Sequence, residues 1–205
     1  MKKKLMVVAF SLLATVAITA CGKTNSTSIK DSEPSQTASA ASSESTSSSI
    51  AAKTEKKTDG TQRIGSDEYG YIDIPKNWIP FKDLNGGDDI QYTDGTGYNI
   101  VTLNALTKEK ANIGEGEEWT AETIANRLYY NWDKNPNVDK IWGAKTTVSD
   151  HDTFQINIIM KSGQYLINWV FKDEDQVHLI AFEGEKEVLA EVIDDIENSW
   201  SKKKD

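Results

Sequence analysis

The chain has 205 residues, a formal charge of −9 from 23 basic and 32 acidic residues, and a single Cys. An acidic chain with one thiol is neither a basic nucleic-acid-binding protein nor a disulfide-stabilised scaffold. Trp and Tyr occur only beyond residue 68, so about 140 residues are left to form a core. That length is sufficient for one domain.

The first twenty residues have the pattern of a secretory leader. Lysines at positions 2–4 precede an apolar run over residues 5–17, which is shorter than the roughly 20 residues of a membrane span. The following Ile18-Thr19-Ala20-Cys21 resembles the lipobox of bacterial lipoproteins. The resemblance implies that residues 1–20 are a signal peptide, and that Cys21 carries a thioether-linked diacylglyceryl group with acyl chains such as palmitate. A stray Cys after an ordinary signal peptide is the alternative.

Residues 21–61 are predicted to be a disordered tether that starts at the lipidated Cys21. Residues 22–61 contain eleven Ser, no aromatic residue, and five Lys balanced by five acidic residues. Such a composition cannot bury enough apolar surface to offset the entropy of ordering the chain. A flexible spacer is the main interpretation, and glycosylation of the Ser/Thr-rich stretch is a second one.

Residues 62–205 are predicted to form one α+β domain. Alternating apolar residues indicate strands at 69–74, 89–92 and 98–105, and Asp94-Gly95-Thr96-Gly97 is typical of a hairpin turn. A helix is predicted to start after Thr120, a good N-cap, and to stop before Pro136. Its apolar face is expected to contain Ala121, Ile124, Ala125, Leu128 and Trp132.

Four further strands are predicted, followed by a closing helix at about 185–200. The strands span 138–148, 154–160, 165–171 and 177–182. Because short turns join them, we expect an antiparallel sheet of about six or seven strands, packed with two amphipathic helices. Four tryptophans in phase with apolar neighbours are expected in the core: Trp78, Trp142, Trp169 and Trp200.

The segment Gly70-Tyr71-Ile72-Asp73-Ile74-Pro75-Lys76-Asn77-Trp78, together with the closing helix that contains Ile193 to Trp200, resembles the PsbP-like fold. The resemblance covers residues 65–201. It implies an α/β/α-like sandwich that is used for docking rather than for chemistry. It supplies no catalytic motif, so no functional residue is carried over from it.

The sequence contains no G-x-S-x-G, G-x-x-x-x-G-K, H-E-x-x-H or C-x-x-C motif. We therefore assign no catalytic residue, no metal ligand and no cofactor. Weaker alternatives are a metal site that includes Asp150-His151-Asp152, calcium binding by the acidic run 83–94, and glycoside cleavage by Glu115, Glu117 and Glu118. Acidic residues in solvated turns are the simpler explanation for all three.

The aromatic residues around the first helix are the candidate binding residues: Trp119, Tyr129, Tyr130 and Trp132. Exposed Trp or Tyr side chains can stack on sugars or anchor a protein partner, and packing within the core is the alternative. Removal of residues 1–20 lowers the formal charge from −9 to −12, and the neutral tether leaves this charge on the domain. Such a surface is expected to repel nucleic acid and to attract cationic partners.

These features predict a lipoprotein anchored at Cys21 to the extracytoplasmic face of the cell membrane. Its domain is expected to be a non-catalytic binding or interaction module for a protein or cell-wall ligand. A cell-envelope hydrolase with an unrecognised carboxylate site is one alternative. An accessory subunit of an envelope assembly is the other.

Overall fold

The structure is a computed structural model that describes residues 60–83 and 87–204. The predictions for the leader, for Cys21 and for nearly all of the tether concern residues outside these ranges, as does the part of the acidic run at 84–86. None of the helices in the described ranges has the length and apolar character needed to cross a membrane.

The described chain is built on one antiparallel sheet of seven strands in the order β3-β4-β5-β9-β8-β7-β6, accompanied by a separate hairpin of β1 and β2. The elements in chain order are β1 (Thr61–Ser66), β2 (Gly70–Pro75), β3 (Ile79–Phe81), β4 (Ile90–Thr93), β5 (Ile100–Leu106), α1 (Ala121–Asp133), β6 (Val138–Val148), β7 (His151–Met160), β8 (Tyr165–Asp173), β9 (Gln176–Gly184) and α2 (Lys186–Ser199). The predicted α+β class, with two helices on an antiparallel sheet, is confirmed.

Each face of the large sheet has its own apolar core. Helix α1 packs on one face, mainly over β6, β7 and β8, where its buried residues meet Ile156, Ile158, Leu166 and Val170. Helix α2 and the β1–β2 hairpin cover the other face, and their core includes Trp169, Phe171 and Phe182. We call these the α1 face and the α2 face. The sheet is thus sandwiched between two unlike layers.

Helix α1 matches its sequence signals closely. The side-chain oxygen of Thr120 accepts a hydrogen bond of 3.1 Å from the backbone N–H of Thr123, which satisfies one of the free donors of the first turn. The five residues of the predicted apolar face are the buried residues of the helix. Local capping and a 3.6-residue apolar period therefore determine this element.

The C-terminal segment after α2 is fixed to the α2 face. The indole of Trp200 is surrounded by three rings, with centroid distances of 4.8 Å to His151, 4.9 Å to Phe171 and 5.0 Å to His178. Ser201 forms an antiparallel bridge to Tyr71 through two backbone hydrogen bonds of 2.8 and 3.0 Å. Only a glycine fits at position 70, because a Cβ there would lie 2.3 Å from the Trp200 indole nitrogen.

Three features differ from the sequence expectations. Strand β1 was not predicted, because Ile64 is its only large apolar residue and no alternation marks it. Strand β3 was not predicted either, because its three residues include Pro80 and give no strand pattern. Trp142 is 45% exposed, whereas Trp78, Trp169 and Trp200 are buried as expected. Trp142 lies on β6, the edge strand of the sheet. In the described chain β6 has a neighbouring strand on one side only, so side chains flank Trp142 on that side alone.

Candidate functional site

A groove lies between α1 and the two strands at one edge of the sheet, β6 and β7. Its volume is about 360 Å³, and its lining residues are Ala125, Asn126, Tyr129, Gly143, Ala144, Lys145, Phe154, Gln155 and Ile156. The strand register places Gly143 opposite Ile156 and Lys145 opposite Phe154. Open space surrounds Gly143, since an added Cβ would meet no atom within 4 Å. The groove therefore lies where β6 presents two small residues, Gly143 and Ala144, towards the middle of α1.

The groove combines aromatic walls with one positive charge. Tyr129 and Phe154 are half-buried and also pack against the α1-face core. The Lys145 ammonium lies 5.2 Å from the centroid of the Phe154 ring, a distance at which a cation is attracted to an aromatic face. None of the lining residues is acidic. This arrangement suits an apolar side chain next to a negatively charged or hydrogen-bond-accepting group.

The free edge of β6 runs alongside the groove. Strand β6 has eleven residues, most of them exposed, and within the described chain it pairs only with β7. In an antiparallel sheet, alternate residues of an edge strand direct their backbone N–H and C=O groups outward. The opposite edge strand, β3, is only three residues long and contains Pro80, which lacks a donor. The β6 edge is thus the long pairing surface of the described sheet.

The structure separates the four aromatic residues predicted as binding candidates. Tyr129 lines the groove. Tyr130, the next residue, is 59% exposed on the outer side of α1, where Lys134 lies over its ring. Trp132 is buried in the α1-face core, and the indole N–H of Trp119 donates a 2.9 Å hydrogen bond to the carbonyl of Asp175. Binding by these residues stays a prediction, and only Tyr129 is placed at the groove.

The alternatives based on metal binding and on carboxylate catalysis have no assembled site in the described ranges. No group of three or more His, Cys, Asp and Glu side chains is arranged there to hold a metal ion. His151 instead packs against Trp200, with its Nε2 atom 3.4 Å from the Asp173 carboxylate. Glu117 pairs with Arg127 on α1, while Glu115 and Glu118 are exposed.

The strongly perturbed titratable groups lie on β9, away from the groove. Burial, followed by the nearby Lys202 ammonium, lowers the pKa of His178 to about 4. Its Nδ1 atom lies 3.2 Å from the carbonyl of Tyr69, and its buried Nε2 has no hydrogen-bond partner in the described chain. Burial, followed by the charge of Asp83, raises the pKa of Glu183 to about 7. Neither residue forms a nucleophile–base pair.

The groove residues contributed by the strands were not predicted from the sequence. Lys145 and Phe154 lie on adjacent strands whose positions were predicted, but their proximity to Tyr129 depends on how α1 crosses the sheet. One feature of the sequence did point to this place. Gly143 lies within a predicted strand, and a glycine within a strand often marks a place where another chain or a ligand comes close.

No protein-family model and no curated protein matches the sequence. Similar solved structures include CyanoP, the cyanobacterial PsbP of Synechocystis sp. PCC 6803, at 9% identity and a TM-score of 0.48, covering 69% of this chain and 92% of that chain. LpqN of Mycobacterium tuberculosis, described as involved in cell envelope biogenesis, has 10% identity and a TM-score of 0.42, covering 69% of this chain and 89% of that chain. A Bacteroides thetaiotaomicron protein has 11% identity and a TM-score of 0.45, and this chain spans 50% of its length.

The fold class itself rests on the strand order and on the two helices rather than on these scores.

Proposed function

We propose that this protein is a lipid-anchored extracytoplasmic binding protein without catalytic activity. In this proposal Cys21 carries the lipid, residues 21–61 form the tether, and the domain binds a protein or cell-wall ligand. The observation that carries the binding role is the open groove between α1 and β6, beside a long unpaired strand edge. The lipobox and the apolar leader support the anchor.

The composition of the groove favours binding over hydrolysis. Its lining contains aromatic, aliphatic and amide side chains with one Lys, and it lacks the pair of carboxyl groups that glycoside cleavage requires. It also lacks His, Cys and Ser, so the lining offers no Ser–His or Cys–His pair of the kind that many hydrolases use. Recognition by shape, apolar contact and a single charge is the chemistry that these residues can supply.

The anchor is tested by replacing Cys21 with Ser in cells that process lipoproteins. We expect the wild-type chain to incorporate labelled palmitate and to stay with membranes after a high-salt wash, because two or more acyl chains hold a protein stably. The Cys21→Ser chain is expected to be unlabelled and to leave the membrane fraction. Retention of the unlabelled variant on salt-washed membranes would show that the anchor lies elsewhere.

The binding role is tested by photo-crosslinking on intact cells. The photoreactive residue p-benzoylphenylalanine replaces Asn126, an exposed residue of the groove, or Glu191, an exposed residue of α2 on the other side of the sheet. We expect discrete crosslinked species from position 126 and far weaker ones from position 191. Equal patterns from the two positions would contradict a binding role for the groove.

A further inference from the structure

The centre of the β6 edge is uncharged and is framed by two lysines. Ile141, Trp142, Gly143 and Ala144 form this centre, between Lys140 and Lys145. A register shift between Val138 and Lys140 marks one end of the regular ladder with β7. The regular part of the edge therefore runs from about residue 140 to residue 148, which is long enough to pair with a typical strand.

The charge around this edge is opposite in sign to that of the whole domain. Residues 134–149 contain three Lys and a single Asp, whereas the chain without residues 1–20 has a formal charge of −12. Lys161, in the turn after β7, adds a further positive charge and donates a hydrogen bond to the carbonyl of Pro136, close to the start of β6. In the described chain, neither Lys140 nor Lys145 forms a salt bridge. Their charges are therefore available to a partner.

The two sides of the edge offer different contacts to the side chains of an added strand. On the α1 face, Gly143 and Lys145 lead into the groove beside Tyr129 and Phe154. On the α2 face, the exposed ring of Trp142 lies beside Asn157 of β7. Because side chains of a strand alternate between faces, an extended segment would place every second residue towards the groove and the others towards Trp142.

We propose that β6 binds an extended, acidic segment of a partner protein, which adds to the sheet as a new edge strand. This proposal rests on the proposed binding function and names the partner's chemistry. Backbone hydrogen bonds along β6 supply the affinity, the groove accepts an apolar side chain, and carboxylates of the partner meet Lys140 and Lys145.

A second copy of this chain is a poorer occupant of the edge. The chain without residues 1–20 has a formal charge of −12, so two copies repel each other as whole molecules. A short acidic segment brings carboxylates to Lys140 and Lys145 without a second acidic domain. A lysine at an edge is also a common means of preventing sheet-to-sheet association.

The test uses the full mature chain carrying Cys21→Ser and a capped peptide of about ten residues that repeats Glu-Glu-Val-Val, so that each face of the extended peptide has both Glu and Val. A matched peptide replaces every Glu with Lys. Two further acidic peptides are N-methylated at alternate residues, so that each lacks the backbone donors on one of its edges. We expect the acidic peptide to bind and to slow hydrogen exchange of outward-facing β6 amides. One N-methylated peptide should bind and the other should fail, while the basic peptide should not bind.

Variants of the protein test the assigned contacts. The double variant Lys140→Glu, Lys145→Glu is expected to weaken binding of the acidic peptide at least about tenfold. The control double variant Lys76→Glu, Lys108→Glu changes two exposed lysines elsewhere by the same charge and should leave binding nearly unchanged. Tyr129→Ala should weaken binding, whereas Tyr130→Ala should not. Added salt should weaken the interaction, because the exposed charges are screened.

Three results would overturn the inference. Equal binding of the basic peptide would remove the role of charge, and absence of any acidic-peptide binding would remove the partner. Chemical-shift changes at Tyr129 and Phe154 without protection of β6 amides would show a groove ligand that does not add a strand. That last result, like crosslinking at position 126 without peptide binding, would leave the proposed binding function standing.

Discussion

The two faces of the large sheet are closed to different degrees. On the α2 face, Trp169, Phe171 and Phe182 are completely buried beneath α2, the β1–β2 hairpin and the C-terminal segment. On the α1 face, a single helix packs mainly over β6, β7 and β8 and leaves a groove beside β6. From this difference we expect the α2 face to provide most of the stability, while the α1 face leaves the surface on which the proposed binding depends accessible.

Polar contacts reinforce the closure of the α2 face. The Trp169 indole N–H donates a 2.8 Å hydrogen bond to the Glu197 carboxylate on α2. Ser149 connects the β6–β7 turn to the carbonyl of Trp200 through its hydroxyl, at 2.8 Å. Arg63 contacts the Asp73 carboxylate at 2.9 Å and the carbonyl of Ser199 at 3.0 Å. Many separate elements therefore depend on the position of the C-terminal segment.

The largest expected effect on stability comes from Trp200→Ala. The side chain is 5% exposed and fills the space between three rings, so its removal leaves a cavity. We expect the free energy of unfolding to fall by about 3–5 kcal/mol in urea denaturation followed by circular dichroism. The matched substitution is Trp142→Ala, at a side chain that is 45% exposed, and it should cost about 1 kcal/mol.

Similar losses for the two tryptophan variants would contradict the difference in stability between the faces. Such a result would mean that the edge beside the groove is as important for stability as the enclosed aromatic cluster. A loss confined to Trp200→Ala would assign the stability to the α2 face.

A smaller, pH-dependent effect is expected from His178 within the same cluster. Its pKa is lowered to about 4 by burial and by Lys202, with a further contribution from His151, while the Tyr69 carbonyl and Asp173 oppose the shift. Above pH 6.5 the ring is neutral in both the folded and unfolded states. As the pH falls from 6.5 to 4, the unfolded state binds the proton first, so the free energy of unfolding decreases by up to about 3 kcal/mol.

The contribution of His178 is isolated by comparison with His178→Phe, which retains a ring of similar size without the titration. The difference between wild type and variant should depend on pH between 6.5 and 4 and level off outside this window. Glu183 produces a slope of opposite sign between pH 4.5 and 7, because burial raises its pKa, but that slope is common to both chains. A difference that does not vary with pH would exclude His178 as the sensitive group.

Local signals were sufficient to predict most elements of the domain. The cap at Thr120 and the apolar period of α1 predicted both its start and its buried face, and the four strands from β6 to β9 were found through alternation. Strand β1 was not predicted because its own sequence has no strand pattern. It is ordered by its pairing with β2, which sets Ile64 opposite Ile72.

The position of a strand within the sheet could not be predicted in the same way. Alternation assigned Trp142 to a face of β6, but it does not show whether a neighbouring strand or helix covers that face. The expectation that Trp142 belongs to the core was therefore wrong, and the same missing information concealed the groove. The helical period already sets Tyr130 off the apolar face of α1, but only the crossing of α1 over β6 and β7 places Tyr129 at the groove.

The bridge between Ser201 and Tyr71 has a consequence for the orientation of the domain. It holds the last residues of the described chain beside β2, whose partner β1 begins directly after residue 60. The chain therefore enters and leaves the domain on the α2 face, and the groove opens on the reverse side. A reporter fused after the C-terminal segment is therefore expected to start on the α2 face and to leave the groove accessible.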